Sequence, residues 1–177
     1  IEGGVRYNQA DSTVQLALFK TVYHDLIHHV FIDPVSHSSI PFNTQRAKVE
    51  GLELALSTQR REITMQASVT LQNPINQSVG TILPSRARQF GHVSVDKKWG
   101  NVSIGAELQV SGARFDQAMQ TWLAGYSVTN LMARYAITKE WALAAKLENT
   151  FDRDYQTVAG YNTPRRGLYL TLAWQAR

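Results

Sequence analysis

Ten residues near the middle of the chain, Ile63-Thr64-Met65-Gln66-Ala67-Ser68-Val69-Thr70-Leu71-Gln72, alternate without a slip. Every odd position is apolar and every even one is Thr, Gln or Ser. Side chains on a strand point to opposite faces in turn, so this run is a ribbon with one apolar side and one polar side. A half-buried strand of a soluble sandwich keeps such alternation for about five or six residues. Ten is about the length a tilted strand needs to cross a bilayer.

The same pattern recurs along the chain. Val5 and Tyr7 stand against Gly4, Arg6 and Asn8, and Asp11-Ser12 turns the chain. Val14, Leu16 and Leu18 then oppose Gln15 and Ala17 in a second strand, expected to end near His24. From Asp25 to Thr44 the alternation dissolves, Pro34 and Pro41 intervene, and the segment reads as a long irregular connection. A third strand sets Leu52, Leu54 and Leu56 against Glu53, Ala55 and Ser57, and Thr58 to Arg61 is a short turn into the fourth, the ten-residue run itself. Asn73 to Ser85 reads as a second long connection. Val93 and Val95 mark strand five, and Trp99-Gly100-Asn101 is a tight-turn signal. Strand six carries Val102, Ile104, Ala106, Leu108 and Val110, and Arg114 to Gly125 is a third long connection. Leu131, Ala133, Tyr135 and Ile137 mark strand seven, a turn covers Thr138 to Trp141, and Leu143, Ala145 and Leu147 mark strand eight. Phe151 to Arg165 is the fourth long connection, and Leu168, Leu170, Leu172 and Trp174 form the last strand.

The expected fold class is therefore all-β: an antiparallel up-and-down meander of about nine long strands whose connections alternate short and long. In such a meander all short turns fall at one end and all long loops at the other, the asymmetry of outer-membrane barrels with brief periplasmic turns and long extracellular loops. The polar face carries Glu53, Glu107, Arg134, Lys146 and Glu148, suited to a wet interior, with Glu107 and Glu148 expected to pair with Lys146 and Arg134 across strands. An open sheet would leave unpaired edges in lipid, so more strands must complete the wall. A soluble barrel or sandwich is the competing reading, but small polar side chains on one face leave it no second apolar layer.

Composition agrees without deciding. The hydrophobic fraction is 44% over 177 residues, and no window approaches the roughly 18 unbroken apolar residues of a membrane-spanning helix. There is no Cys, which removes disulfides and thiol chemistry. The net charge of +4 comes from cations spread along the chain rather than clustered, which argues against a nucleic-acid partner. The opening residues already read as mid-strand with no leader before them, so the chain is expected to be a piece of something longer.

Residues of the C-terminal third add a resemblance. Glu148-Asn149-Thr150-Phe151-Asp152-Arg153-Asp154-Tyr155, then Gly160-Tyr161-Asn162-Thr163-Pro164-Arg165-Arg166 and the strand Leu168 to Trp174, are similar to the end of a TonB-dependent outer-membrane receptor. Glu2 to Arg6, Arg46 to Glu53, Leu83 to Arg88 and Gly112 to Asp116 agree with it. Within that family Asp154 to Val158 with Gly160-Tyr161 most resembles the vitamin B12 (cobalamin) receptors. The resemblance implies a barrel of about 22 strands around an N-terminal plug. Residues 1–177 would be its C-terminal portion, with the plug, the earlier strands and the TonB box outside them. It implies capture of cobalamin or another large chelate at extracellular loops and TonB-driven uptake, with the C-terminus periplasmic and no cofactor. A ferric siderophore or haem as cargo, and a passive porin-like channel, are the alternatives. The chain departs from the family with Thr150 where Leu is usual and Pro164-Arg165-Arg166 where Pro-Gly-Arg is usual, and it continues for three residues past Trp174.

Ligand contacts are expected on loops and rims, in aromatic and Arg side chains. The resemblance puts Tyr161 and Arg86 toward the ligand, with Tyr155, Arg114 and Trp122 as further candidates. The competing reading for the aromatics is an interfacial girdle or loop packing. His24, His28 and His29 invite a metal site, but in an extended segment His24 and His28 lie roughly 13 Å apart, so joint ligation would need a turn. No Ser-His-Asp or paired-carboxylate arrangement can be built, and an enzyme is not expected.

Overall fold

A computed structural model describes residues 1–33 and 38–176. Twelve strands follow in chain order: β1 (Glu2–Gln9), β2 (Ser12–Asp33), β3 (Ser38–Arg60), β4 (Ile63–Asn76), β5 (Thr81–Ile82), β6 (Gln89–Trp99), β7 (Val102–Ser111), β8 (Arg114–Asp116), β9 (Thr121–Leu123), β10 (Tyr126–Ala136), β11 (Trp141–Glu148) and β12 (Gly167–Trp174). Nine of them form one antiparallel meander, β1-β2-β3-β4-β6-β7-β10-β11-β12, while β5 adds to β4 and β8-β9 make a small separate hairpin. No helix occurs among the described residues. The expected nine-strand meander is therefore the fold.

Register explains why the alternation persists from strand to strand. Leu16 stands opposite both Val5 and Leu54, and Leu54 opposite Val69. Leu108 faces Val93, Leu131 faces Ala106 and Leu147, and Ala145 faces Leu170. Because the side-chain period is 2, a slip of one residue anywhere would move a strand's apolar set to the polar side. Within the band no slip occurs, the register shift between Phe31 and Asp33 lying far above it, and one apolar face runs from β1 to β12. It stays uncovered: Val69, Leu108 and Leu170 are 37%, 39% and 69% exposed. From Ile63 to Leu71 it extends about 27 Å along the strand, which at a tilt of roughly 40° covers about 21 Å, close to the apolar band of an outer-membrane barrel. Tyr7, Trp99, Tyr135, Trp141 and Trp174 lie on this face at the short-turn end, with Trp141 and Trp174 ring centroids 6.4 Å apart. At the other end the same face turns polar, where Lys20 stands opposite Glu50 and Lys48 Nζ meets Glu50 Oε1 at 2.7 Å.

The first long connection differs from expectation. Asp25 to Asp33 and Ser38 to Thr44 continue β2 and β3 as a paired two-stranded ribbon, interrupted by left-handed Asp25 (φ 57°) and by a register shift between Phe31 and Asp33. Above the Lys20–Glu50 rung it extends for roughly 40 Å at about 3.3 Å per residue. Alternation is lost there because neither side of the ribbon meets lipid, so backbone pairing persists without a two-faced code. Pro41 is tolerated because β4 pairs with β3 only from Ala47 onward, leaving that edge without a neighbour. Pro34 lies outside the described residues. The second connection is shorter than expected, since β4 runs to Asn76 and β5 folds back on it. The third contains the hairpin β8-β9.

What core exists sits on the polar side of the sheet, toward the long-loop end. Ala47, Val49 and Leu83 are buried, with Phe19 and Leu26 packed against them. Leu83 is delivered by the β4–β6 connection, whose backbone it pins through a hydrogen bond from its N–H to the Pro74 carbonyl (2.9 Å). Gly51 makes room for this packing, since a Cβ there would strike the Leu71 carbonyl and the Phe19 ring.

Leu54 lies mid-band on the apolar face. Leu54→Arg in the full-length protein is expected to destabilise the lipid-embedded fold by about 2–4 kcal/mol. Ser68→Arg, on the polar face, is expected to cost far less. Equilibrium unfolding in phospholipid vesicles compares the two, and equal penalties would contradict the two-faced wall.

Candidate functional site

The long connections gather at one end of the meander and fold onto its polar face. A concavity of about 570 Å³ there is lined by Gln72, Arg86, His92, Gln109, Arg114 and Tyr126 among others. Arg114 opens β8, and its guanidinium donates to Ser111 Oγ at 2.7 Å and to the Tyr126 hydroxyl at 3.4 Å. It also stands over the Tyr126 ring, 5.6 Å from the centroid. Tyr126 also stacks on Tyr155, with centroids 4.3 Å apart and ring planes tilted by 33°. Arg86 reaches the same concavity from the β4–β6 connection, which is bent by a left-handed Ser85 (φ 59°). Neither Arg86 nor Arg114 forms a salt bridge among the described residues. The result is a recess with two uncompensated cations and stacked phenol rings, chemistry suited to a large ligand with polar or anionic edges and flat faces.

Three expected residues thus converge: Arg86 and Arg114 on the recess, and Tyr155 behind Tyr126. Trp122 does not join them. It is 57% exposed on β9 and packs edge-on against Phe115, with centroids 5.7 Å apart. Tyr161 is 71% exposed at a turn closed by a bridge between Val158 and itself, outside the recess lining. Sequence reading missed Tyr126. The signal was available, because Tyr126, Val128, Asn130 and Met132 share the polar side of β10, and extending that alternation upward brings Tyr126 to the rim.

Below the recess runs a chain of side chains. Glu107 accepts from Asn130 Nδ2 (3.0 Å) and Gln109 Nε2 (3.1 Å), and its Oε1 meets His92 Nε2 at 2.9 Å. Asn130 Oδ1 in turn accepts the Asn149 N–H at 2.9 Å. The expected cross-strand pairings of the acids are therefore corrected. Lys146 Nζ reaches Glu148 at 2.7 Å along its own strand, two residues away and on the same side, while Glu107 is satisfied by neutral amides and His92. Asn130 on β10, His92 on β6 and Gln109 two residues along β7 itself fill its oxygens before a long cation must bend to reach them.

The last connection is built by the residues that carried the resemblance. Asn149 is buried and left-handed (φ 48°), a conformation Asn tolerates. Its Nδ2 donates to the Arg153 and Pro164 carbonyls (2.8 and 3.3 Å), and its Oδ1 accepts the Arg153 N–H (2.8 Å). Thr150 gives its hydroxyl to the Leu147 carbonyl at 3.3 Å. Arg165, where the family usually has Gly, takes a role Gly could not. Its Nε and Nη2 each donate to the Asp152 carboxylate at 2.9 Å, and its Nη1 lies 3.2 Å from Asp154. Its backbone stays out of the left-handed region, so the turn accommodates the exchange. The Arg165 fork, helped by the Arg166 N–H, holds the Asp152 carboxyl well below the usual carboxylate range, and Asp152 raises Arg165 in return.

The metal reading of His24, His28 and His29 finds no turn to support it, since all three lie in extended β2. The side chains of His28 and His29 are outside the described residues. Among those described, no group of three or more His, Cys, Asp and Glu is placed to hold a metal ion.

A two-faced antiparallel wall with an uncovered apolar band and all its long loops at one end defines the class: the strand wall of an outer-membrane β-barrel. Residues 1–149 match the family described as TonB dependent receptor-like, beta-barrel, and the chain belongs to that family. Its members are outer-membrane transport receptors, not enzymes. Among solved structures the fold is similar to the copper transporter OprC (TM-score 0.82, 20% identity, covering 98% of this chain and 30% of that one). It is similar to the siderophore receptor PiuA from Acinetobacter baumannii (TM-score 0.76, 24% identity, 97% of this chain and 27% of that one). It also resembles the ferric enterobactin receptor PfeA (TM-score 0.79, 21% identity, 98% of this chain and 30% of that one). The chain thus spans under a third of the receptors it matches.

The Asp152–Arg165 clamp has a defined pH dependence. Because the folded carboxyl titrates below its ordinary value of 3.8, its stabilising effect is complete above that value and is lost only as pH falls through the depressed folded one. Amide protection factors across residues 149–166, which remove the intrinsic pH dependence of exchange, are expected to be equal at pH 7 and pH 5 and to fall only in stronger acid. In Asp152→Asn protection is expected to be low throughout.

Proposed function

We propose that the complete protein is an outer-membrane active-transport receptor that captures cobalamin at its loop-bearing end and imports it under TonB drive. Residues 1–177 are then the C-terminal portion of the barrel, with the plug and earlier strands supplied by the rest of the protein. The long loops face the outside, the C-terminus faces the periplasm, and the polar face lines the lumen. One observation carries the reading: Arg86, Arg114, Tyr126 and Tyr155 come together on the polar face directly beneath the long connections. A passive pore needs no such convergence, whereas a receptor for a large, flat, polar-edged molecule does. Cobalamin is favoured as cargo by the likeness of Asp154 to Val158 and of Gly160-Tyr161 to the cobalamin receptors. Tyr161 and Trp122, both exposed on loops beside the recess, complete the ligand-contact set with Arg86, Arg114 and Tyr155.

A ferric siderophore is the second reading. It is supported by two arginines without carboxylate partners, which suit an anionic chelate, and by the fold shared with siderophore receptors. Haem falls under the same test. A plug and TonB box in the residues before Ile1 would separate both readings from a porin-like channel.

Equilibrium titration of the full-length protein with cyanocobalamin is expected to saturate below micromolar concentration, and Tyr161→Ala is expected to weaken it by about tenfold. No saturation at micromolar cyanocobalamin, together with saturation by a ferric chelate or haem, would transfer the assignment to that cargo. Unchanged affinity in Tyr161→Ala would remove Tyr161 from the site.

A further inference from the structure

Asp116 closes β8, and only 6% of its surface is exposed where two long connections meet. Its Oδ1 accepts the Met119 N–H at 3.0 Å and shapes the tip of its own hairpin. Its Oδ2 accepts the Ala159 N–H at 2.9 Å, from the β11–β12 connection 43 residues further along. A buried carboxylate must be satisfied by donors, and no cation pairs with it among the described residues. Backbone N–H groups from two different loops do that work.

The neighbouring packing points the same way. The Met119 methyl lies 3.7 Å from where a Cβ would stand on left-handed Gly160. Gln156 Oε1 accepts the Gly160 N–H at 3.1 Å, and the Tyr161 N–H returns to the Val158 carbonyl at 3.2 Å. Ala159 is thus the buried foot of the small turn that holds Tyr161 out. One residue before Asp116, the Phe115 carbonyl accepts the Ser85 N–H at 2.8 Å, fastening the loop that carries Arg86. One residue earlier stands Arg114. Phe115 and Asp116 therefore join three of the four long connections.

We propose that Asp116 is a positioning residue that latches the turn bearing Tyr161 to the hairpin bearing Arg114 and Trp122, so that three loops present one preassembled binding surface. The inference deepens the receptor reading and rests on it for its meaning, although the latch itself can be tested without any ligand. Holding three contact groups in place before the ligand arrives removes loop-ordering entropy from the binding step.

The test uses the full-length receptor in lipid, with spin labels on Cys introduced at Gln117 and Asn162. Without ligand, a single narrow distance distribution is expected. Asp116→Ala, which removes both acceptors, and Asp116→Asn, which sets an NH₂ against one of the two N–H donors, are expected to broaden it. An unchanged distribution in both variants would overturn the latch whatever the cargo is. In a second arm, cyanocobalamin affinity is measured for Asp116→Asn, Tyr161→Ala and the double variant. Each single change is expected to cost about tenfold, and the double no more than about twofold beyond either. Independent, multiplying effects would overturn the positioning role. Failure of wild-type protein to bind cyanocobalamin would sink the cargo assignment alone, leaving the distance measurement to decide the latch.

Discussion

Backbone pairing in register is the constraint on which everything else in this molecule depends. In hydrocarbon every N–H and C=O must be satisfied by the wall itself, and with no helix among the described residues that task falls to strands paired edge to edge. Once that ladder is imposed, each residue's face is decided by the parity of its position, and a single slip would put Gln, Glu or Lys side chains into the apolar band. The unbroken sequence of rungs from Val5–Leu16 to Ala145–Leu170 is the signature of that pressure. Conventional core burial contributes little, because the large apolar side chains face outward and the buried cluster above the band is small.

This division explains which parts of the structure could be read from residues alone. Within the band, lipid on one side and water on the other write a period of 2, so the strands around Leu54, Val69, Leu108 and Leu170 were legible. Above the band both sides are wet, and the code stops although the strands continue. The ribbon formed by Asp25–Asp33 and Ser38–Thr44 is invisible for that reason: its pairing is set by the hairpin already begun below, and its side chains are free to vary. The same holds for β5 and for β8-β9, whose pairing is local and whose side chains obey no common face.

The candidate site was legible only in its residue types. Arg and Tyr on long connections are sound expectations for ligand contact, and Arg86, Arg114 and Tyr155 do gather. Which loop residue meets which is a matter of tertiary docking, and no periodicity encodes it. Tyr126 was missed because ligand contacts were sought on loops and it belongs to a strand, whereas Asp116 was hidden because a buried carboxylate bonded to backbone N–H groups has no pattern beyond its own identity. The Glu107 pairing failed for a related reason: charge complementarity named Lys146 and Arg134, but proximity gave its oxygens to Asn130 and His92 on the adjacent strands and to Gln109 on its own.

The wall and the loops are not independent layers. Asn130 bonds to Glu107 through its amide nitrogen and to the Asn149 N–H through its oxygen, so the geometry of the polar face is passed to the first residue of the last connection. Asn149 then sets the path of Arg153 and Pro164, and the Arg165 fork on Asp152 closes the circuit. Tyr155, three residues beyond Asp152, meets Tyr126 on β10, one further strand contact made by a loop. A loop held this way at its root, middle and return has few conformations left to lose. The motif that resembles the receptor family is thus foremost a device for fixing a loop to a wall: the hydrogen bonds at its root, middle and return hold Tyr155 against Tyr126, whose ring lines the recess.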